Sequence, residues 1–205
     1  MHALIVFTHP DSGSLSHAVA AGIAEGIATL DAGNSFEIAD LTEEAFDPRF
    51  NEADIAAHRR KADAPADVVA EQARIDRADA LILVYPVYWW SMPALMKGWI
   101  DRVFANGWAY DDMPGSKVVK KLHHLRVHLV GIGGADAGTY ERHGYFNAMR
   151  TQIDHGIFDY CGAPVATSEL LLDSDAGNGA AHIEMARRIG SDIFNARDRA
   201  ASGAA

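Results

Sequence analysis

The chain has 205 residues, long enough for one sizeable core and too short for two full domains. Hydrophobic residues make up 49% and charged residues 22%, the balance of a compact folded protein rather than a disordered one. With 28 acidic residues against 18 Lys plus Arg, a formal charge of -10 excludes broad contact with nucleic acid or an anionic membrane, so any anionic ligand must be held locally.

The opening MHALIVFTHP has no basic n-region, and its apolar run is too short for a signal peptide or a membrane span, which points to a cytoplasmic protein. Within it ALIVF (3–7) reads as a strand, and a helical segment follows from about Ser14 to Leu30. FEIAD (36–40) reads as a second strand, and the polar stretch 41–62 as a loop carrying a short helix. VVAEQARIDRA (68–78) reads as a helix with Val68, Val69, Ile75 and Ala78 facing inward. ALILVYP (80–86) is an unbroken apolar run, as expected of a central parallel strand buried on both faces. Pro93 suits the first turn of a helix, and behind it Leu95, Met96, Trp99, Ile100 and Val103 make an apolar stripe at helical spacing. LRVHLVGIGG (125–134) supplies a fourth strand, and a helix runs from about Tyr145 to Tyr160. ELLL (169–172) is a fifth strand, 180–198 a final helix, and 199–205 a frayed tail. With no repeat or linker, these elements predict one α/β domain over 1–198, a doubly wound parallel sheet of five strands with helices on both faces.

Three features are read as structural. The single cysteine, Cys161, rules out an internal disulfide and is taken as a buried thiol. His123, His124 and His128 cluster near the fourth strand without a metal-ligand pattern, and are expected to be solvated or on a strand edge. HRRKADAPAD (58–67) reads most simply as a solvated loop; the alternative, in a dimer, is a segment that flanks the partner's pocket.

Ligands on such sheets bind at the carboxyl ends of the strands, which singles out the loops 8–16, 85–92 and 131–146. THPDSGSLSHA (8–18) can seat a phosphate on helix amides and on the hydroxyls of Ser12, Ser14 and Ser16, with His9 adding a donor; an ordinary Ser-capped helix explains it equally well. It is neither a Walker loop nor a dinucleotide fingerprint. Pro86 ends the third strand, and VYWW then lies at the mouth of the sheet, where Trp89 or Trp90 either walls a planar ligand or meets a second subunit. GIGGADAGTYERHGY (131–145) holds five glycines, and Gly133 and Gly134 would let backbone approach a flat ligand closely. Tyr140, Arg142 and His143 add donors beside them. A flexible glycine loop is the competing reading.

Taken together, HPDSGSLSHA, the AEQ of 70–72, PVYWWSMPALMKGWIDRVF, GWAY (107–110), GIGGADAGTY and the DYCG of 159–162 resemble the flavodoxin-like NAD(P)H:quinone oxidoreductases, the DT-diaphorase relatives with their bacterial modulator-of-drug-activity members. The resemblance spans nearly the whole chain in order. It implies a homodimer with one flavin per subunit at the interface; the family holds both FAD and FMN, and the long C-terminal portion resembles the FAD-binding members, with FMN the alternative. His9, Ser14, Leu15 and Ser16 match the segment that grips the flavin phosphates, and Gln72 a position that reaches the flavin from the partner subunit. Pro86, Val87, Tyr88, Trp89 and Trp90 match the stretch lining the isoalloxazine ring; Gly133, Gly134 and Tyr140 match the loop at its pyrimidine side.

The implied reaction is ping-pong hydride transfer: NAD(P)H reduces the flavin and leaves, and a quinone or similar flat acceptor takes its place. Tyr140 matches the family's catalytic tyrosine, whereas Phe146 falls where the family has a histidine, leaving His143 as the candidate substitute. A flavodoxin-type electron carrier and a flavin-binding regulatory subunit of a potassium efflux system are the alternatives.

Overall fold

A computed structural model of the chain describes residues 1–30 and 33–194. Its strands are β1 (His2–Phe7), β2 (Ser35–Asp40), β3 (Ala80–Pro86), β4 (Tyr110–Asp111), β5 (Val119–Lys120), β6 (Arg126–Ile132) and β7 (Val165–Leu171). β4 and β5 pair with each other, antiparallel. The other five form one parallel sheet in the order β2-β1-β3-β6-β7. The helices are α1 (Leu15–Leu30), α2 (Glu52–His58), α3 (Ala66–Asp76), α4 (Ala94–Val103), α5 (Ala137–His143), α6 (Tyr145–Met149) and α7 (Gly179–Asp192).

Alternation along β3 explains the two-layered core, because successive side chains point to opposite faces. Leu81, Leu83 and Tyr85 pack with Met96, Trp99 and Val103 of α4, while Ala80, Ile82 and Val84 join the core that holds Val19, Ile23 and Ile27 of α1 and Ile189 of α7. Each fully buried Leu or Ile contributes about 1.5–3 kcal/mol through area removed from water. On the second face, α1 and α7 approach until their backbones touch. A Cβ on Gly26 would sit 2.2 Å from the Arg187 carbonyl oxygen, and one on Gly190 would sit 2.1 Å from that of Ile23.

On the first face, Arg102 of α4 fastens the polar stretch between β2 and α3. Its Nε donates to Asp54 Oδ2 at 3.0 Å and its Nη1 to Asp67 Oδ2 at 2.6 Å and to the Asp47 carbonyl at 2.8 Å. Asp54 also accepts the Asn51 amide, which closes a capping box on α2. This is why a segment with little apolar content still has a fixed place.

The structure corrects the sequence reading at several elements. The fifth strand starts at Val165, not Glu169, because an edge strand half covered on one face carries Thr167 and Ser168 without an apolar run. Tyr145–Tyr160 is not one regular helix: α6 gives way to π-helical winding over Arg150–Asp159. The buried Ile153 and Phe158 lie five residues apart, the spacing that π winding brings to one face. Part of the third loop is helical as α5, and the hairpin β4–β5 had no sequence signal. The last helix is described to Asp192; its expected extension over 195–198 and the tail 199–205 lie outside the described residues.

His128 also departs from expectation. It is 1% exposed on β6 rather than solvated, whereas His123 and His124 are exposed. Cys161 is buried, and burial pushes its thiol up to about 11.

Candidate active site

The strand order reverses between β1 and β3, so the crevice of this sheet opens between the loops that follow those two strands. The loop after β6 closes its third side. Backbone bonds hold these exits together: Val87 N–H donates to the Ile132 carbonyl at 2.8 Å, and Gly133 N–H to that of Leu171 at 2.9 Å.

After β1 the chain folds back on Asp11, whose Oδ1 accepts the Gly13 amide at 2.9 Å and whose carbonyl accepts the Ser14 amide at 3.1 Å. His9 turns toward the same residue, its Nδ1 3.1 Å from the Asp11 amide. Ser14 then caps α1, and the amides of Leu15 and Ser16 in the first turn have no intrahelical acceptor. The Ser16 side chain is buried. His17, which the sequence reading passed over, joins Ser14 to Asp40 of β2. Nothing near it in the chain announces this, because its partner lies 23 residues on.

After β3 the two tryptophans are explained by a tight turn. Tyr88 and Ser91 exchange both backbone hydrogen bonds, at 3.0 and 3.1 Å, and the two residues between them have φ of 50° (Trp89) and 60° (Trp90). Such a turn normally takes Asn-Gly, since left-handed backbone costs a residue with a Cβ about 1–2 kcal/mol. Backbone strain of this kind clusters at functional sites. The turn sends the rings apart. Trp90 stacks on Tyr145 at 3.7 Å and meets Tyr140 edge-on at 5.2 Å, while Trp89 stands 93% exposed beside the half-exposed Tyr88. Ser91 Oγ donates to Gln152 at 2.7 Å, anchoring the turn to the π-helical segment. The amides of Trp89 and Trp90 take no part in the turn's own bonds.

After β6, neither Gly133 nor Gly134 has positive φ. Gly133 is needed for close approach: a Cβ there would lie 2.6 Å from the Tyr140 hydroxyl and 2.9 Å from Leu172. Gly134 is exposed and faces the Asp175 carboxylate. Tyr140 is buried, and burial raises its hydroxyl above the ordinary tyrosine range, so it remains a hydrogen-bond donor at neutral pH.

These loops offer what a flat ligand with an anionic tail requires: a helix start, an aromatic wall and a glycine-lined floor. They bring together His9, Ser14, Leu15, Ser16, Pro86, Val87, Tyr88, Trp89, Trp90, Gly133, Gly134 and Tyr140 along one edge of the sheet. Gln72 is elsewhere. It is buried on α3, its Nε2 donates to the Val103 carbonyl at 2.9 Å, and it lines a cavity of about 590 Å³ with Arg60, Lys61 and Trp108.

A family model for the flavodoxin-like fold matches residues 1–190. Over 179 residues, 84% of this chain and 84% of the relative, the sequence is 32% identical to a Haemophilus influenzae protein described as an uncharacterized NAD(P)H oxidoreductase. Ribosyldihydronicotinamide dehydrogenase [quinone] of Mus musculus is 27% identical over 195 residues, covering 85% of this chain and 83% of its own. The solved NAD(P)H:quinone oxidoreductase of Methanothermobacter marburgensis superposes with a TM-score of 0.83 at 28% identity, over 94% of this chain and 98% of that one. The chain belongs to the flavodoxin-like NAD(P)H:quinone oxidoreductase family.

For a member of this oxidoreductase family, the surroundings of Tyr140 carry the most chemical interest. Phe146 leans on its ring at 5.1 Å and offers packing but no proton. His143 is exposed and stacks on Tyr145 at 5.3 Å; among the described residues no hydrogen bond joins it to Tyr140. Behind lies a cavity of about 360 Å³ lined by Tyr85, Phe146, Asp154 and Ser168, where burial raises the Asp154 carboxyl above the usual range. Among the described residues no His, Cys, Asp or Glu cluster could hold a metal ion, and no helix is long and apolar enough to cross a membrane.

Gly133→Ala tests the floor of the site. The new methyl must displace the Tyr140 hydroxyl and Leu172, so a loss of about 1–3 kcal/mol is expected from overpacking, measured by urea unfolding. An unchanged midpoint would show that the tyrosine is not pressed against this backbone.

Proposed function

We propose that the chain is a flavin-dependent NAD(P)H:quinone oxidoreductase that moves two electrons as hydride, first from NAD(P)H and then to a quinone or similar flat acceptor, through one pocket. The observation that carries the reading is the Trp89–Trp90 turn, which places two tryptophans in left-handed backbone at the switch point of the sheet. A strained turn that leaves an indole 93% exposed has no use in packing this chain alone.

The flavin, FAD in this reading with FMN as the alternative, supplies the centre that accepts and returns hydride. The protein's own groups bind and orient. The first turn of α1, with Ser14 and the amides of Leu15 and Ser16, takes the anionic tail, and His9 stands beside it. Trp90, braced by Tyr145 and Tyr140, fixes the wall against which a planar ring lies. Positioning of stacked reactants is the larger part of what the protein contributes. Tyr140, a protonated donor, favours negative charge developing next to Gly133. His143 is the candidate for a second proton-handling group.

The reading includes a cytoplasmic homodimer with its sites at the subunit seam. Two apolar surfaces support it: the exposed Tyr88 and Trp89, and a groove of about 510 Å³ lined by Phe50, Ile100, Phe104, Tyr110 and Tyr160. A two-fold axis can cover both at once. Gln72 is the residue whose role needs the partner subunit.

Anaerobic mixing of flavin-loaded protein with NADH tests the function. Loss of the yellow colour on NADH, and its return on quinone, supports it; an electron carrier would not bleach with NADH. Protein that binds neither FAD nor FMN would refute it. The role of Trp89 has its own test. Asn tolerates left-handed backbone, so Trp89→Asn is expected to leave the melting temperature of the flavin-free protein unchanged or higher, while kcat/KM for quinone falls at least about tenfold.

A further inference from the structure

Ser14, His17 and Asp40 form one hydrogen-bonded line at the mouth of the crevice. Ser14 Oγ lies 2.8 Å from His17 Nδ1, and His17 Nε2 lies 3.1 Å from Asp40 Oδ2. Asp40 is fixed in turn, because its other oxygen accepts the amides of Thr42 and Glu43 at 2.9 and 3.3 Å. Phe7 of β1 packs edge-on against the imidazole at 4.7 Å. In the loop before α1, His9 and Asp11 bond to each other rather than to His17. Among the described residues, Asp40 is therefore the charged group that meets the ring from the elements around it.

The donors and acceptors along this line constrain one another. An ionised carboxylate only accepts, so Nε2 of His17 carries a proton whenever this bond stands. Without a second ring proton, Nδ1 is an acceptor and Ser14 must give it the hydroxyl proton. The His17 amide also approaches Ser14 Oγ, at 3.4 Å, so the serine then shows a ligand nothing but a lone pair. That is the wrong polarity for a phosphate oxygen. With a second ring proton, Nδ1–H donates to Oγ, both lone pairs are occupied, and the hydroxyl hydrogen points outward as a donor.

We propose that the anionic tail of the cofactor binds at this helix start together with one proton, taken up by His17, which switches Ser14 from acceptor to donor. His17 is a positioning residue here, acting through Ser14, with Asp40 holding the imidazolium. The inference rests on the flavin reading above, since it takes the anion to be the cofactor's phosphate.

Calorimetric titration of FAD into flavin-free protein, repeated in buffers of unequal ionisation enthalpy, reads the protons taken up. FAD is the useful probe because its diester phosphates carry no titratable proton near neutrality. Uptake approaching one proton is expected on the alkaline side, where the Kd weakens by up to about tenfold per pH unit, the limit for one linked proton. His17→Gln is expected to abolish the uptake and flatten the pH profile, and riboflavin, which has no phosphate, to show no uptake on the wild type. With FMN, whose monoester itself titrates, the difference between wild type and variant is the readout. Asp40→Asn, expected to move the uptake to lower pH, serves if His17→Gln does not fold. Equal uptake by wild type and His17→Gln, or by riboflavin and FAD, overturns the inference while the flavin reading stands. If neither FAD nor FMN binds, both fall.

Discussion

Replacing Arg102 with Ala is expected to destabilise the fold by about 3–5 kcal/mol, because it leaves the Asp54 carboxylate buried without its cation. Both side chains are nearly sealed, at 3% exposure for Arg102 and 2% for Asp54. Arg102 also donates to the Asp47 carbonyl and lies over the Phe46 ring at 5.3 Å, so the change loosens the stretch before α2 and α2 itself. Asp67, the other carboxylate on this guanidinium, is half exposed, and Asp67→Asn should cost less than about 1 kcal/mol because water replaces much of what is lost. Guanidinium chloride unfolding of both variants checks the ranking. Equal losses would mean that the pair at Asp54 is not sealed from water.

The second large effect depends on pH. His128 Nδ1 meets Thr167 Oγ1 at 3.1 Å, and its buried Nε2 has no partner among the described residues. Burial, with a smaller push from Arg126, holds this imidazole down at about 4. The unfolded chain protonates the same group near 6.5, so the folded state binds fewer protons between those values. Its contribution is complete above about pH 6.5 and is lost as pH falls toward 4, a swing of about 3 kcal/mol. His128→Leu should remove that share of the acid limb, whereas His123→Ala, at an exposed site, should not. Unfolding free energies at pH 7 and pH 4.5 for the three proteins decide it. A wild-type acid limb that survives His128→Leu would assign the loss to other groups.

How far the sequence revealed this molecule depended on whether each signal was local. ALILVYP announced a central strand because both its faces are buried, and the apolar stripe from Leu95 to Val103 announced α4 because one helix face is. Val165–Ser168 was silent, since an edge strand with one half-covered face needs no apolar alternation. The π winding over 150–159 was silent too, because a five-residue spacing of buried side chains imitates an irregular α-helix. At the site, the adjacent tryptophans posed the right question, but no propensity predicts a left-handed turn for such residues; tertiary contacts from Tyr140, Tyr145 and Gln152 impose it. His17 and His128 escaped for a shared reason. Each owes its character to a partner or a covering layer supplied from far along the chain.

The contact between α1 and α7 bears on the order in which the protein matures. α1 is clamped by α7, which follows all five sheet strands in the chain, through glycines that leave no slack between their backbones. Until residues near 190 have emerged, α1 lacks its cover, so a nascent chain that already holds all five sheet strands still has no rigid seat at Ser14. The helix start after β1 therefore becomes competent only once α7 has been made, well after the strand that leads into it.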